Sequence, residues 1–483
     1  MVSGDIGVRR SDTDILRAVA IAIGLVWAAS FAVVALLFEL EFYADGSMFS
    51  YAVAVQDVWA FHWHNISDRL SVFILSLWPA ELFVGLTGKP YGGIVVYGLL
   101  FYLAPLAGLI GTFAADRSRG RVIFTYACAS TALLCPLVFG FPTEMWMAHA
   151  LFWPTLAIAH YAVRNISGAL LLLAAMLALI LSHEGAIVLA GAIVAAQMMR
   201  GVRDAAFLRT GGALCVSLAA WLTIRLTLPP DDYFAGVWLR AALHFFDPDI
   251  FDVSVVLLLL ASLAAYAVLF FVLARWNSPK AHLYSAALVA LALVIYWLTI
   301  DHAVHASSRY YLRTALVILT PLLGGLASFY ASRADGLLRA NAGIARIMTA
   351  LTSERAARAT VGALTVVTLV HAVETAKFVT AWTHYKTAVA SLATGSVSDP
   401  ALGDPRFVSS ARIVPDLNRL SWFSTTPYLS VLVANLMPKR LVIDPKGNYF
   451  WLSCATATAN ADAPRAVPAE ARELIRIYSC LHR

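Results

Sequence analysis

The sequence predicts an α-helical polytopic membrane protein of about eleven transmembrane helices, completed by a small C-terminal extracytoplasmic domain of α/β or α+β type. Three observations carry this expectation. Of 483 residues, 60% are hydrophobic and only 13% charged, with a mean hydropathy of +0.75, more apolar surface than one water-facing core can hide. Apolar runs of about twenty residues, enough to cross ~30 Å of hydrocarbon, recur as far as residue 376. Beyond that point Pro, Asp, Asn and Ser enter, and the apolar runs shorten.

The first run, from Ile15 to Phe38, is too long for a signal-peptide core and lacks a small-residue cleavage site, so it reads as a retained anchor. Further spans are expected at 92–115, 122–141, 147–163, 166–182, 185–200, 211–228, 253–274, 282–300, 314–332 and 359–376. The stretch 70–87 is apolar enough to be a twelfth. Lys and Arg decide against it. With 70–87 lying in the outer interface, alternate connections carry seventeen basic residues against six in the others, the asymmetry of a cytoplasmic face. The N-terminus is then cytoplasmic. The expected division is a transmembrane domain over 1–377, whose outer loop 39–91 holds interfacial helices, and an extracytoplasmic domain over 378–483.

That last region contains turn-rich segments such as "VSDPALGDPRF" and "IDPKGN", short mixed runs such as "RLVID", and the amphipathic "AEARELIRIYSCL". Its cysteines, Cys454 and Cys480, fall in a disulfide-permissive compartment and are expected to pair. Cys128, Cys135 and Cys215 fall inside spans. The net charge of +6 comes from residues scattered between apolar runs, so it reports orientation and no nucleic-acid surface.

Ionisable residues gather on the expected outer side. The stretch "LEFYADGSMFS" follows the first span directly and puts Asp45 close to the lipid surface. Glu144 and His149 occupy the next outer connection, and His183 and Glu184 the third. Acids at this depth normally face a bundle interior or a watery cavity, which makes Asp45, Glu144 and Glu184 functional candidates. Glu39, Glu41 and Asp57 read instead as residues that solvate turns. Trp63, Trp78, Trp146 and Trp153 read as interfacial aromatics.

The order "YADGSMFSYAVAVQDVWAFHW", "RLSVFILSLWPAELFVGLTG", "KPYGGIVVYGLL" and the late "SSRYYLRTALVILTPLL" resembles the GT-C glycosyltransferases, closest in layout to the bacterial branch with lipid-A aminoarabinose transferase and the protein O-mannosyltransferases. In that branch the first loop runs from an aspartate through an amphipathic helix to an apolar interfacial helix. The usual Pro-Pro-Leu at the start of the latter is replaced here by "DRLSVF". The resemblance implies transfer of a sugar from a polyprenyl-phosphate-linked donor to a glycan, lipid or protein acceptor, at the outer face of a bacterial inner membrane. It places Arg309 and Tyr310 in the substrate site.

Such a transfer needs a base for the acceptor hydroxyl and cations for the departing phosphate. Asp45, beside Gly46, is the expected base and Glu144 the second acid, assisting it, orienting the acceptor or binding a divalent ion. Arg309 suits the phosphate because its planar fork binds oxygens in pairs; Lys89 is a second phosphate candidate, and His183 and Glu184 are expected near the substrate. No Walker A loop, Rossmann fingerprint or G-x-S-x-G elbow is present. Two other classes remain open at this level, a lipid-linked glycan polymerase or ligase and a membrane transporter or scaffold.

Overall fold

The computed structural model describes residues 12–59, 69–135, 143–161, 165–228, 254–276, 280–302, 309–337, 354–396, 399, 402–422, 425–444 and 467–481. Among the described residues each predicted apolar run contains helix: α1 (Asp12–Leu37), α4 (Pro90–Tyr102) with α5 (Ala104–Ala115), α6 (Val122–Leu134), α7 (Glu144–Tyr161), α8 (Ile166–Ile180), α9 (Ala186–Gln197), α10 (Ala205–Thr227), α11 (Ser254–Arg275), α12 (Ala281–Thr299), α13 (Arg309–Ala334) and α14 (Glu354–Thr394). The first outer loop supplies α2 (Asp45–Ala54) and α3 (Leu70–Thr87). Among the described residues, seven helices are long and apolar enough to cross a membrane, or eight if the pair α4 and α5, bent by 44°, is one span. The bend has a local cause: Pro105 occupies the first turn of α5 and has no N–H for the ladder across Leu103.

Helices approach most closely where side chains are missing. A Cβ on Gly24 of α1 would lie 2.4 Å from the Cys128 carbonyl oxygen of α6, and one on Gly108 of α5 would lie 2.4 Å from that of Ala150 in α7. Both contacts are with backbone, which cannot swing aside.

Side-chain pairings sort the helix ends into two groups. At one end Arg17 packs over Gly120, Tyr161 donates to Asp335 at 2.8 Å, and Arg200 donates to the His160 carbonyl at 2.8 Å. These are the connections rich in Arg. At the other end Trp382 and Lys386 of α14 donate to the Phe38 carbonyl at 3.0 and 2.9 Å.

The helix α3 belongs wholly to the second end, although its length and apolarity would let it span. At its start Ser71 N–H donates to the Leu181 carbonyl at 2.9 Å. Just past its far end Tyr91 donates to the carbonyl of Leu432 in the C-terminal region. It runs out and α4 runs back. Ile74, Leu75, Trp78, Leu82 and Leu86 form one exposed apolar stripe along it, as expected of a helix lying at a lipid surface. The turn Phe73–Leu77, before Pro79, widens to π geometry.

Two expectations about packing are corrected. The first-loop helix α2 is not amphipathic: every residue from Gly46 to Ala54 is buried, because it is enclosed between the bundle and residues 425–428, where Ser47 donates to the Thr425 carbonyl at 3.0 Å and Tyr51 meets Tyr428. Trp146 and Trp153 are buried rather than interfacial; Trp146 packs edge-on to Phe31 of α1. The helix containing the last predicted span, α14, covers 41 residues, or ~60 Å at 1.5 Å per residue. Its second half carries the C-terminal region, where Lys439 and Arg440 N–H both donate to the Ala393 carbonyl.

In that region β1 (Phe407–Ser409) pairs in parallel with β2 (Leu441–Ile443), joined through α15 (Pro415–Asn418) and α16 (Thr426–Val433). The last helix, α17 (Ala469–Leu481), buries Ala471, Leu474, Ile475 and Tyr478. These side chains are continuous with the core of the bundle. Cys454 and the side chain of Cys480 lie outside the described residues, as does Trp63.

Candidate active site at one end of the bundle

After α1 the chain turns sharply. Glu39 and Ala44 both have positive φ, 55° and 51°, a region that costs a residue with a Cβ ~1–3 kcal/mol. Between them Leu40–Phe42 form a single 3₁₀ turn. The strain is held by burial of the whole segment from Leu40 to Ala44, and by Ser47, which donates to the Ala44 carbonyl at 2.9 Å. The result is that Asp45 opens α2 and is half-buried.

The turn also reverses the reading of Glu41. It does not solvate a turn; it is 3% exposed. Its carboxyl lies against α4 at Gly98, where a Cβ would come within 3.2 Å of Cδ. Burial pushes its pKa up to about 8, its own backbone N–H lowers it, Glu39 adds to the rise and Lys386 opposes it. Glu39, by contrast, is exposed and paired with Lys386.

Tyr97 lies within electrostatic reach of Glu144, Glu41 and Asp45. Its ring is 1% exposed. Among the described residues, neither its hydroxyl nor Oε2 of Glu41 has a hydrogen-bond partner. Buried polar groups are usually satisfied, so these two atoms keep hydrogen-bonding capacity for a further partner.

Deeper in the same end, Arg69 binds two acids from two further elements. Nη1 donates to Glu144 Oε1 at 2.7 Å, while Nε and Nη2 donate to the two oxygens of Glu184 at 3.2 and 2.8 Å. All three side chains are almost fully buried. Burial disfavours the guanidinium charge, and Glu144 followed by Glu184 more than restores it, raising its pKa further. One cation between two carboxylates leaves a formal charge of −1. His183 accepts from Gly185 N–H through Nδ1 at 2.9 Å and lies 3.4 Å from Glu184.

Thus the fold brings Asp45 and Glu144 within electrostatic reach of Tyr97, joins Glu144 and Glu184 through Arg69, and sets His183 beside Glu184. It leaves Lys89 out. Lys89 is exposed in the turn between α3 and α4, a helix of 18 residues away from Arg69, ~27 Å along its axis. Arg309 and Tyr310 open α13, with their side chains outside the described residues. Among the described residues no three His, Cys, Asp or Glu side chains converge as for a metal ion. Sequence reasoning missed Arg69 as a site residue and misjudged Glu41. The available signal for Arg69 was an isolated cation directly before an apolar run, on the side of the chain that also holds Glu144 and Glu184.

Comparison with known proteins yields no family model, no curated protein and no solved structure that matches this chain.

Proposed function

We propose that the protein is a membrane glycosyltransferase of GT-C type, with eleven spans in a bacterial inner membrane, that moves a sugar from a polyprenyl-phosphate donor to an acceptor at the extracytoplasmic face. The observation that carries this reading is that Asp45 and Glu144 both lie within electrostatic reach of buried Tyr97, at the bundle end whose connections are poor in Lys and Arg. A lipid-linked donor explains why the acids stand at the bilayer surface.

In the proposed reaction Asp45 takes the proton of the acceptor hydroxyl as its oxygen attacks the anomeric carbon. The bond from that carbon to the phosphate oxygen breaks, and its electron pair leaves with the polyprenyl phosphate. Arg309 is the cation proposed to hold that phosphate, with Lys89 further out. Arg69 is neutralised by Glu144 and Glu184, so its part is to fix those acids, and Glu144 in turn orients the acceptor. Asp45→Asn keeps the size of the side chain and removes its basicity. Transfer in membranes of a complemented deletion strain should fall ~10²- to 10⁴-fold; near-normal transfer by a well-inserted variant would overturn the reading.

One observation favours a second reading. A buried acid such as Glu41, holding its proton to about pH 8, is also what a proton-coupled transporter needs. Uptake that tracks a pH gradient in proteoliposomes, with no transfer, would select it.

A further inference from the structure

Glu41 and Tyr97 come from different elements, the turn after α1 and the helix α4, yet among the described residues each has a buried polar atom with no hydrogen-bond partner, and the two lie within electrostatic reach of each other. They are 3% and 1% exposed. The groups around them are acidic or phenolic: Asp45 on α2, Glu144 on α7, and Tyr102, which lies within electrostatic reach of both Glu41 and Tyr97. Glu39 before the turn and Lys386 on α14 act on Glu41 from the other side. Asp45 is half-buried. The carboxyl of Glu41 lies close against Gly98, where a Cβ would be a tight 3.2 Å from Cδ.

We propose that Glu41 and Tyr97 together bind a hydroxyl group of the transferred sugar, Glu41 as a hydrogen-bond donor and Tyr97 as its partner on the other side of that hydroxyl. This rests on the transferase reading. A phosphate is excluded by the surrounding carboxylates, whereas a neutral sugar hydroxyl both accepts and donates. The raised pKa of Glu41 fits this part, because at neutral pH the group carries the proton it must donate. Its role is distinct from that of Asp45, which must be ionised to act as base.

The two roles separate in the amides. Gln is a neutral donor of nearly the same shape, so Glu41→Gln should keep KM for the donor within about threefold, while Glu41→Ala should raise it about tenfold, the scale of one buried hydrogen bond. Wild-type donor affinity should fall as pH rises through about 8, and Glu41→Gln should lose that fall. Infrared difference spectra of the full chain in nanodiscs supply a readout that needs no substrate: a protonated carboxyl band present at neutral pH, lost above about pH 8 and absent from Glu41→Gln. The binding probes are farnesyl phosphates carrying glucose, galactose, mannose or arabinose. If they bind but Gln and Ala behave alike, or the band is missing, Glu41 has no such role and the transferase reading stands. If the band is present and no glycosyl phosphate binds, the transferase reading falls and takes the sugar site with it.

Discussion

Replacing Arg69 by Ala tests whether the triad organises the site. The change removes one bidentate and one single hydrogen bond, at 2.7, 2.8 and 3.2 Å, and leaves Glu144 and Glu184 facing each other, both almost fully buried. Removing one partner of a buried ionic cluster costs about 3–5 kcal/mol, because the remaining charge has no compensation. Arg69→Lys retains the charge but cannot fork to both acids, so it should lose only the part carried by geometry, about 1.5–3 kcal/mol for a charged hydrogen bond. The triple change Arg69→Met, Glu144→Gln, Glu184→Gln removes every charge at once and should recover much of the loss. Denaturant titration in micelles, read by a thiol-reactive dye on buried Cys128 and Cys135, measures all three. A loss below about 1 kcal/mol for Arg69→Ala, or a triple variant weaker than the single one, would refute the reasoning, which requires the stranded carboxylates to be the source of the cost.

Other expectations follow from packing, topology and titration. Gly108→Val should destabilise by about 1–3 kcal/mol or more, since its Cβ meets the Ala150 backbone, while Gly191→Ala, with open space around it, should be neutral in the same titration. A reporter active only outside the cytoplasm should be active when fused after Arg483 and silent when inserted at Asn341. The folded-state pKa of Glu41 is raised from 4.5 to about 8, so its contribution is full below about pH 4.5, is lost as pH rises towards 8, and changes no further above that. Stability of Glu41→Gln should lack this slope, and an unchanged slope would mean that another group titrates.

The existence and spacing of the helices were legible because lipid imposes a simple requirement: about twenty apolar residues, with polar breaks between them. The same local patterning exposed Asp45, Glu144 and Glu184, as acids out of place beside hydrocarbon. The positive-inside asymmetry also led to the expectation that residues 70–87 turn back rather than cross; in the structure Ser71 N–H donates to the Leu181 carbonyl and Tyr91 to that of Leu432. What no local pattern contained was how the acids would be satisfied. Arg69 precedes Glu144 by 75 residues and Glu184 by 115, and a charge that far away in sequence is invisible to periodicity. Glu41 looked like any polar residue in a turn until the strained backbone at Glu39 and Ala44 turned it inward against Gly98. The burial of α2 was likewise decided by an element more than 370 residues later, through Thr425. Composition determines which solvent each segment meets, because transfer into lipid is a property of the segment itself. Which charges meet each other depends on the register of helices against one another, and only the packed chain sets that.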